Sequence, residues 1–270
     1  MRDWRIINGD CLVELPKLVD GSIDMIMTDP PYGHNNNDGD LIANREKALG
    51  EDKKTTKWHG RDFVTAQSQN PARPILNDGP EANLIFKRAL MHFKRLLSPG
   101  CVAAVCCSGG GGPRPMFARW SLCLDKVLEF KQMVVTDKGP MGMGWHYRRS
   151  YECVLVAMKP GAACRWYDES DRIENIIRPG GRVKKIIPHG EEHPTPKPPE
   201  LAEFFLRLHA KAGDTILDPF CGRGWVGVAA RKLGMKFIGI ELDPHWATEA
   251  EKRLNRMVKG MFGWSEPNGV

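Results

Sequence analysis

The chain has 270 residues, with 41% hydrophobic and 27% charged side chains and a formal charge of +6. That mixture excludes a fibrous or disordered polypeptide, and the length allows a core that needs no external staple. No apolar run approaches the roughly 20 residues of a membrane span, and the opening Met1-Arg-Asp-Trp-Arg predicts no secretory leader.

Ser22 to Thr28 is a short apolar run closed by Asp29-Pro30-Pro31, which predicts a buried strand. Residues 34–78 hold seven basic and seven acidic side chains and few apolar ones. They are predicted as a long polar insertion, a functional lid or a disordered segment. From Glu81 to Leu97 a helical stripe places Ile85, Ala89, Phe93 and Leu97 on one face, ended by Pro99-Gly100. Cys101–Cys107 reads as a strand, followed by four glycines at 109–112 that suggest a loop. Arg114–Phe130 reads as a helix. Val134-Val135 and Glu152–Met158 read as strands, separated by a Met/Gly/Trp-rich loop at Gly139–His146.

Pro160-Gly161 opens a second polar stretch. Within it, residues 172–189 carry five basic side chains against one acidic. Leu201, Phe204, Phe205 and Leu208 then mark a helix, and Thr215–Leu217 a strand ending at Asp218. A helix burying Val226, Ala229, Ala230 and Leu233 stops at Gly234. The strand Phe237–Ile240 ends at Glu241, and Asp243-Pro244 starts a last helix. Alternating strands and helices predict one α/β domain, a mostly parallel sheet with helices on both faces.

The eight cysteines form no Cys-x-x-Cys pair and several sit in apolar runs, the pattern of reduced thiols in a cytoplasmic chain. His189-Gly-Glu-Glu-His193 matches a zinc-site spacing, but Pro188, Gly190 and Pro194 oppose the helix that site needs, so no metal is expected.

Two constellations carry chemistry. In Asp218-Pro-Phe-Cys-Gly222-Arg-Gly224, glycines between a strand and a helix let backbone approach a ligand. Glu241, 23 residues beyond Asp218, is placed to accept both hydroxyls of a ribose. The turn is neither the dinucleotide nor the Walker pattern, and Asp218 would repel a pyrophosphate. An acid there suits a cationic amino group, such as the methionine half of S-adenosylmethionine; a bare strand–helix turn is the alternative. In Asp29-Pro30-Pro31-Tyr32, two prolines remove two N–H donors and free the Pro30 carbonyl. Asp29 adds a second acceptor and Tyr32 a flat face. Together they describe a clamp for a planar ring with an exocyclic amine; the alternative is a capped turn with a packed tyrosine.

With Gly9-Asp10-Cys11, Asp29-Pro-Pro-Tyr-Gly33, His193-Pro-Thr-Pro-Lys-Pro198, Asp218–Gly224 and Phe237-Ile-Gly-Ile-Glu241 in this order, the chain resembles the DNA amino-methyltransferases of the circularly permuted β group. The resemblance implies a Rossmann-like fold that uses S-adenosylmethionine. It implies methyl transfer to N6 of an adenine flipped from duplex DNA; N4 of cytosine, or a silent DNA-binding module on the same fold, are the alternatives. It assigns Asp10 and the Cys11 backbone to the cofactor's adenine and Glu241 to its ribose. Asp218, Gly222, Arg223, Gly224, Thr195 and Lys197 would surround its methionine end, and Phe220 would also bind the cofactor. Catalysis falls to Asp29, Pro30, Pro31 and Tyr32. Residues 160–192 become the candidate recognition region, with Arg172, Arg178, Arg182, Lys184 and Lys185 facing phosphates. Arg223 and Trp225 stand where the family has hydroxyl side chains, and Arg223 is expected to meet the cofactor carboxylate instead. No nuclease motif is evident, so a stand-alone methylase is expected. Family analogy also points to a homodimer.

Overall fold

The computed structural model describes residues 2–34, 57–58, 61–62, 75–109, 115–139, 147, 150–178, 197–260 and 263–266. The apolar runs of the sequence are its strands. They are β1 Trp4–Asn8, β2 Ile23–Thr28, β5 Leu97–Cys107, β6 Glu129–Asp137, β7 Tyr151–Met158, β8 Ile176–Ile177, β9 Thr215–Asp218 and β10 Lys236–Glu241. Two small ribbons add β3 Lys57–Trp58 with β4 Arg61–Asp62, and β11 Val258–Gly260 with β12 Gly263–Ser265.

The eight-stranded sheet has the order β1-β10-β9-β2-β5-β7-β6-β8. Every described neighbour pair is parallel except those of β7, which runs against both β5 and β6. The two ends of the polypeptide are knitted together here. β1 pairs with β10, and β2 pairs with β9 through Met25 opposite Ile216 and Ile26 opposite Leu217. From β9 the chain builds the sheet one way, and from β2 the other. Their junction is the topological switch, beyond whose carboxyl ends ligands sit in open sheets of this kind.

The helices are α1 Cys11–Glu14, α2 Ala82–Leu96, α3 Met116–Val127, α4 Pro199–His209, α5 Trp225–Lys232 and α6 Pro244–Arg256. Strand side chains alternate between two cores because successive Cβ atoms point to opposite faces. Met25, Met27, Val102 and Ala104 pack with Phe205 and Leu206 of α4 and Val226 and Ala229 of α5. Ile26, Ala103 and Val105 pack with Phe86 and Phe93 of α2 and Trp120 and Leu124 of α3. Burial on both faces is why these strands read as continuous apolar runs.

Two predicted boundaries shift. The inward face of α2 centres on Phe86, Leu90 and Phe93 rather than on Ile85, which is half-buried and reaches the cleft described below. Leu97 is already extended, so Pro99 and Gly100 lie in the first residues of β5 instead of ending the helix. Helix α3 is also shorter than predicted, and Glu129 and Phe130 begin β6. The loop at 140–146 and glycines 110–112 lie outside the described residues.

Candidate active site

Glu241 closes β10 and the glycine turn is folded around it. Gly222 N donates to its Oε2 at 2.8 Å, and Asp243 N donates to its Oε1 at 2.9 Å. Gly224 caps α5 in the left-handed region at φ 73°, where a glycine carries no Cβ penalty. Burial raises the Glu241 pKa, opposed by those two N–H groups. From the neighbouring strand, Gly9 N donates to the Glu241 carbonyl at 2.9 Å, which brings Asp10 alongside. Asp10 caps α1 by accepting from Leu12 N at 2.8 Å.

Asp218 closes β9 and is fully buried. Its Oδ1 accepts from the Thr28 hydroxyl at 2.6 Å and from Phe220 N at 3.1 Å, while Oδ2 has no partner among the described residues. Burial pushes its pKa up to about 8, with the two hydrogen bonds opposing. Its carboxyl sits beneath the cleft floor and does not line it.

Asp29 follows β2 directly. One carboxylate oxygen accepts from the Tyr32 hydroxyl, and the other lies 2.8 Å from Lys197 Nζ. Burial, then Asp29, raises the Tyr32 pKa well above its ordinary value, so the phenol stays protonated. Its ring meets Trp120 edge-on at 6.0 Å. The turn is held from the far side, where Asp78 Oδ1 accepts from Gly33 N at 2.8 Å.

Lys197 also lies 3.1 Å from Glu152 Oε2, and Glu152 Oε1 accepts from Lys138 Nζ at 2.8 Å. Burial would raise the Glu152 pKa, but the two ammonium groups outweigh it and bring it down to about 2. Burial would lower the Lys197 pKa; Asp29 and Glu152 raise it instead.

These parts open into one cleft of about 260 Å³. Of the residues picked out in the sequence, Asp10, Cys11, Asp29, Pro30, Pro31, Tyr32, Lys197, Phe220, Gly222, Arg223 and Glu241 line it. Asp218 and Gly224 do not; both are buried behind the turn. Thr195, Arg182, Lys184 and Lys185 lie outside the described residues. Arg172 and Arg178 are exposed and away from the cleft wall, with Arg178 Nε 2.6 Å from Asp137.

The stretch 160–178 divides in two. Arg165 N donates to the Gly100 carbonyl, and its guanidinium lies 3.0 Å from Asp24 and 3.3 Å from Asp214. That part passes beneath the amino ends of the strands, opposite the cleft. Only from about Asn175 does the chain rejoin the sheet, as β8 beside Val135 and Thr136. The polar insertion, in contrast, leaves and returns at the cleft: His34 and Ile75–Asp78 all line it.

Sequence reasoning missed Glu152, Lys138, Asp78 and Thr28. Glu152 left one trace, a lone charge in the otherwise apolar run Tyr-Glu-Cys-Val-Leu-Val. The others left none.

The geometry has relatives. A family model described as DNA methylase, covering N6 and N4 methyltransferases, matches residues 23–252. The chain belongs to this DNA methylase family. The Type II methyltransferase M2.DpnII of Streptococcus pneumoniae is 26% identical to this methylase over 261 residues, covering 92% of this chain and 88% of the relative. DNA adenine methyltransferase YhdJ of Escherichia coli K12 is 25% identical over 268 residues, covering 93% and 82%. Among solved structures, TTHA0409 of Thermus thermophilus, described as a DNA modification methylase and complexed with S-adenosyl-L-methionine, aligns with a TM-score of 0.62 at 21% identity. It covers 93% of this chain and 95% of that one; at this identity the likeness is one of fold.

Proposed function

We propose that this methylase transfers the methyl group of S-adenosylmethionine to the N6 amine of an adenine swung out of duplex DNA. The observation that carries the reading is that Asp29 and Glu241, 212 positions apart in sequence (241 − 29), line one cleft at the switch between β9 and β2.

The residues present fit the cofactor. Glu241 is a carboxylate aimed by two backbone N–H groups and left with lone pairs for ribose hydroxyls. The buried, unpartnered Oδ2 of Asp218 marks unspent acceptor capacity just beneath the glycine turn. Asp10, Cys11 and Phe220 complete the wall. When bound, the cofactor supplies an electrophilic sulfonium methyl.

The acceptor amine is a weak nucleophile because its lone pair is delocalised into the ring. Asp29 and the Pro30 carbonyl, accepting its two hydrogens, localise that pair. The amine that gains a methyl sheds a proton, and Asp29 is the carboxylate placed to take it. Most of the rate then comes from positioning and fixed dipoles. Extruding the base costs a few kcal/mol. Stacking on the Tyr32 face returns roughly 1–3 kcal/mol of it.

Adenine is preferred to cytosine because an aspartate opens the clamp, where cytosine enzymes of the resembling group often carry serine. The DNA adenine methyltransferase among the relatives agrees with this. For DNA contact we favour the insertion 34–78, whose described ends frame the cleft, and the part of 160–192 from about residue 175 onward.

The test is methyl transfer from labelled cofactor to plasmid DNA, followed by sequencing of the methylated product. Label on adenine N6 is expected. Label on cytosine N4 corrects the base, and no transfer to DNA overturns the reading.

A further inference from the structure

The proposed function accounts for Asp29 but leaves a buried ammonium and a second carboxylate beside it. Glu152 sits at the start of β7. Because β7 runs against its neighbours, its first residues lie at the carboxyl ends of β5 and β6, with Glu152 opposite Thr136 and Cys153 opposite Cys107. A parallel strand in that place would have put its own last residues there instead. The reversal thus delivers Glu152 to the cleft, within reach of Lys197 at the entrance to α4.

We propose that Glu152 and Lys197 are positioning residues for the acceptor side of the site. In this arrangement Glu152 shares the Lys197 ammonium, so that Asp29 is held in place without being monopolised and keeps a lone pair for the target amine. The proposal rests on the reading of Asp29 given above.

Each carboxylate oxygen can accept about two hydrogen bonds. Asp29 has one oxygen on the Tyr32 hydroxyl and the other on Lys197, so its plane is fixed and one site remains on each oxygen. Lys197 stands nearly midway, 2.8 Å from Asp29 and 3.1 Å from Glu152, with its side chain only 10% exposed. Its separation from Tyr32 Oη is 3.5 Å, too long to count for much. Lys138 fixes the far oxygen of Glu152 and so anchors the whole row.

The row is electrically balanced: two carboxylates and two ammonium groups. The other titratable groups facing it include Tyr32 from the β2 turn, Cys106 and Cys107 from β5, Cys153 from β7 and Asp218 from β9. Burial raises the pKa of each of these five, so none adds a charge near neutrality except in part Asp218. Removing the Glu152 charge leaves the ammonium to Asp29 alone, where it competes with the amine.

This places Lys197 on the acceptor side. Its motif had suggested the cofactor's methionine end, yet no described contact links its ammonium to the glycine turn or to Glu241.

The test uses the full chain and three variants: Glu152→Gln, Lys197→Met and the double. Two quantities are read, S-adenosylmethionine Kd by equilibrium binding and kcat on plasmid DNA at saturating cofactor. Each single variant is expected to keep the wild-type Kd and lose kcat by about 10²-fold. The double variant removes one charge of each sign, keeps the site neutral and guards against loss of folding. It is expected to be no slower than Lys197→Met alone, since both residues act through one interaction. Lys197→Arg should restore part of kcat. Full kcat in Glu152→Gln overturns the proposal. So does a Lys197→Met enzyme with weakened cofactor binding and normal kcat at saturation. A wild-type chain that transfers no methyl group removes the parent reading, and this one with it.

Discussion

Strand β2 carries an aspartate near each end, and the two are treated differently. Asp24, at the amino end, pairs with Arg165 at 3.0 Å and accepts from Thr215 N at 2.9 Å. Asp214 beside it shares Arg165 and accepts from Lys211 N at 3.0 Å. The result is a belt in which each acid has its cation and its N–H group. Asp29, just past the carboxyl end, opens on a cleft, and the buried Asp218 below it has an oxygen with no partner among the described residues. The same side-chain chemistry makes a belt of ion pairs at one end of the sheet and borders the cleft at the other. The difference lies in spare hydrogen-bonding capacity.

The comparison breaks most sharply at Asp29. Asp29→Ala is expected to keep S-adenosylmethionine binding and lose kcat by about 10²–10³-fold. Transfer at the wild-type rate would place the chemistry elsewhere. Glu241→Ala is next. It removes the carboxylate proposed to accept the ribose hydroxyls, and cofactor affinity is expected to fall by about 1.5–3 kcal/mol, roughly 10- to 100-fold, in a calorimetric titration. Unchanged affinity would detach the glycine turn from the cofactor.

At the other end, Arg165→Met is expected to lower stability by about 1–2 kcal/mol, discounted for the partial exposure of the guanidinium. The melting temperature should drop while transfer per folded molecule stays constant. A lost rate with no lost stability would mean that the belt is not merely structural.

The last effect is read as a slope against pH. Asp218 has its pKa raised in the fold, from 3.8 to about 8, so its contribution to stability is whole below 3.8 and lost as pH climbs through 8. Glu152 runs the other way, whole above 4.5 and lost as pH falls through about 2. Between pH 5 and 8 the cofactor-free protein should therefore lose stability through Asp218. Asp218→Asn should flatten that part of a denaturation-against-pH curve, and an unaltered slope would contradict the burial argument.

Much of the site was legible because its residues punctuate strands. Asp29, Asp218 and Glu241 each follow an apolar run and precede a turn residue, and such acids mark the carboxyl edge of a parallel sheet. Glu152 escaped because it begins a strand; only the antiparallel direction of β7 turns a beginning into a cleft position. Residues 160–170 illustrate the opposite limit. Their polarity suited a DNA loop, but polarity cannot distinguish a ligand surface from a belt, and Arg165 serves the belt.

From its letters alone the polypeptide determined the α/β class, the order of its motifs and the acids that close its strands at the cleft. Those depend on local rules: alternation, proline chemistry, glycine turns and the spacing between an acid and its glycines. The tertiary structure decided which carboxyls face the cleft and which lie under it, and that Lys197 stands between Asp29 and Glu152. Those outcomes depend on strand order and direction, set by long-range burial of both sheet faces at once, and no short window of sequence contains that information.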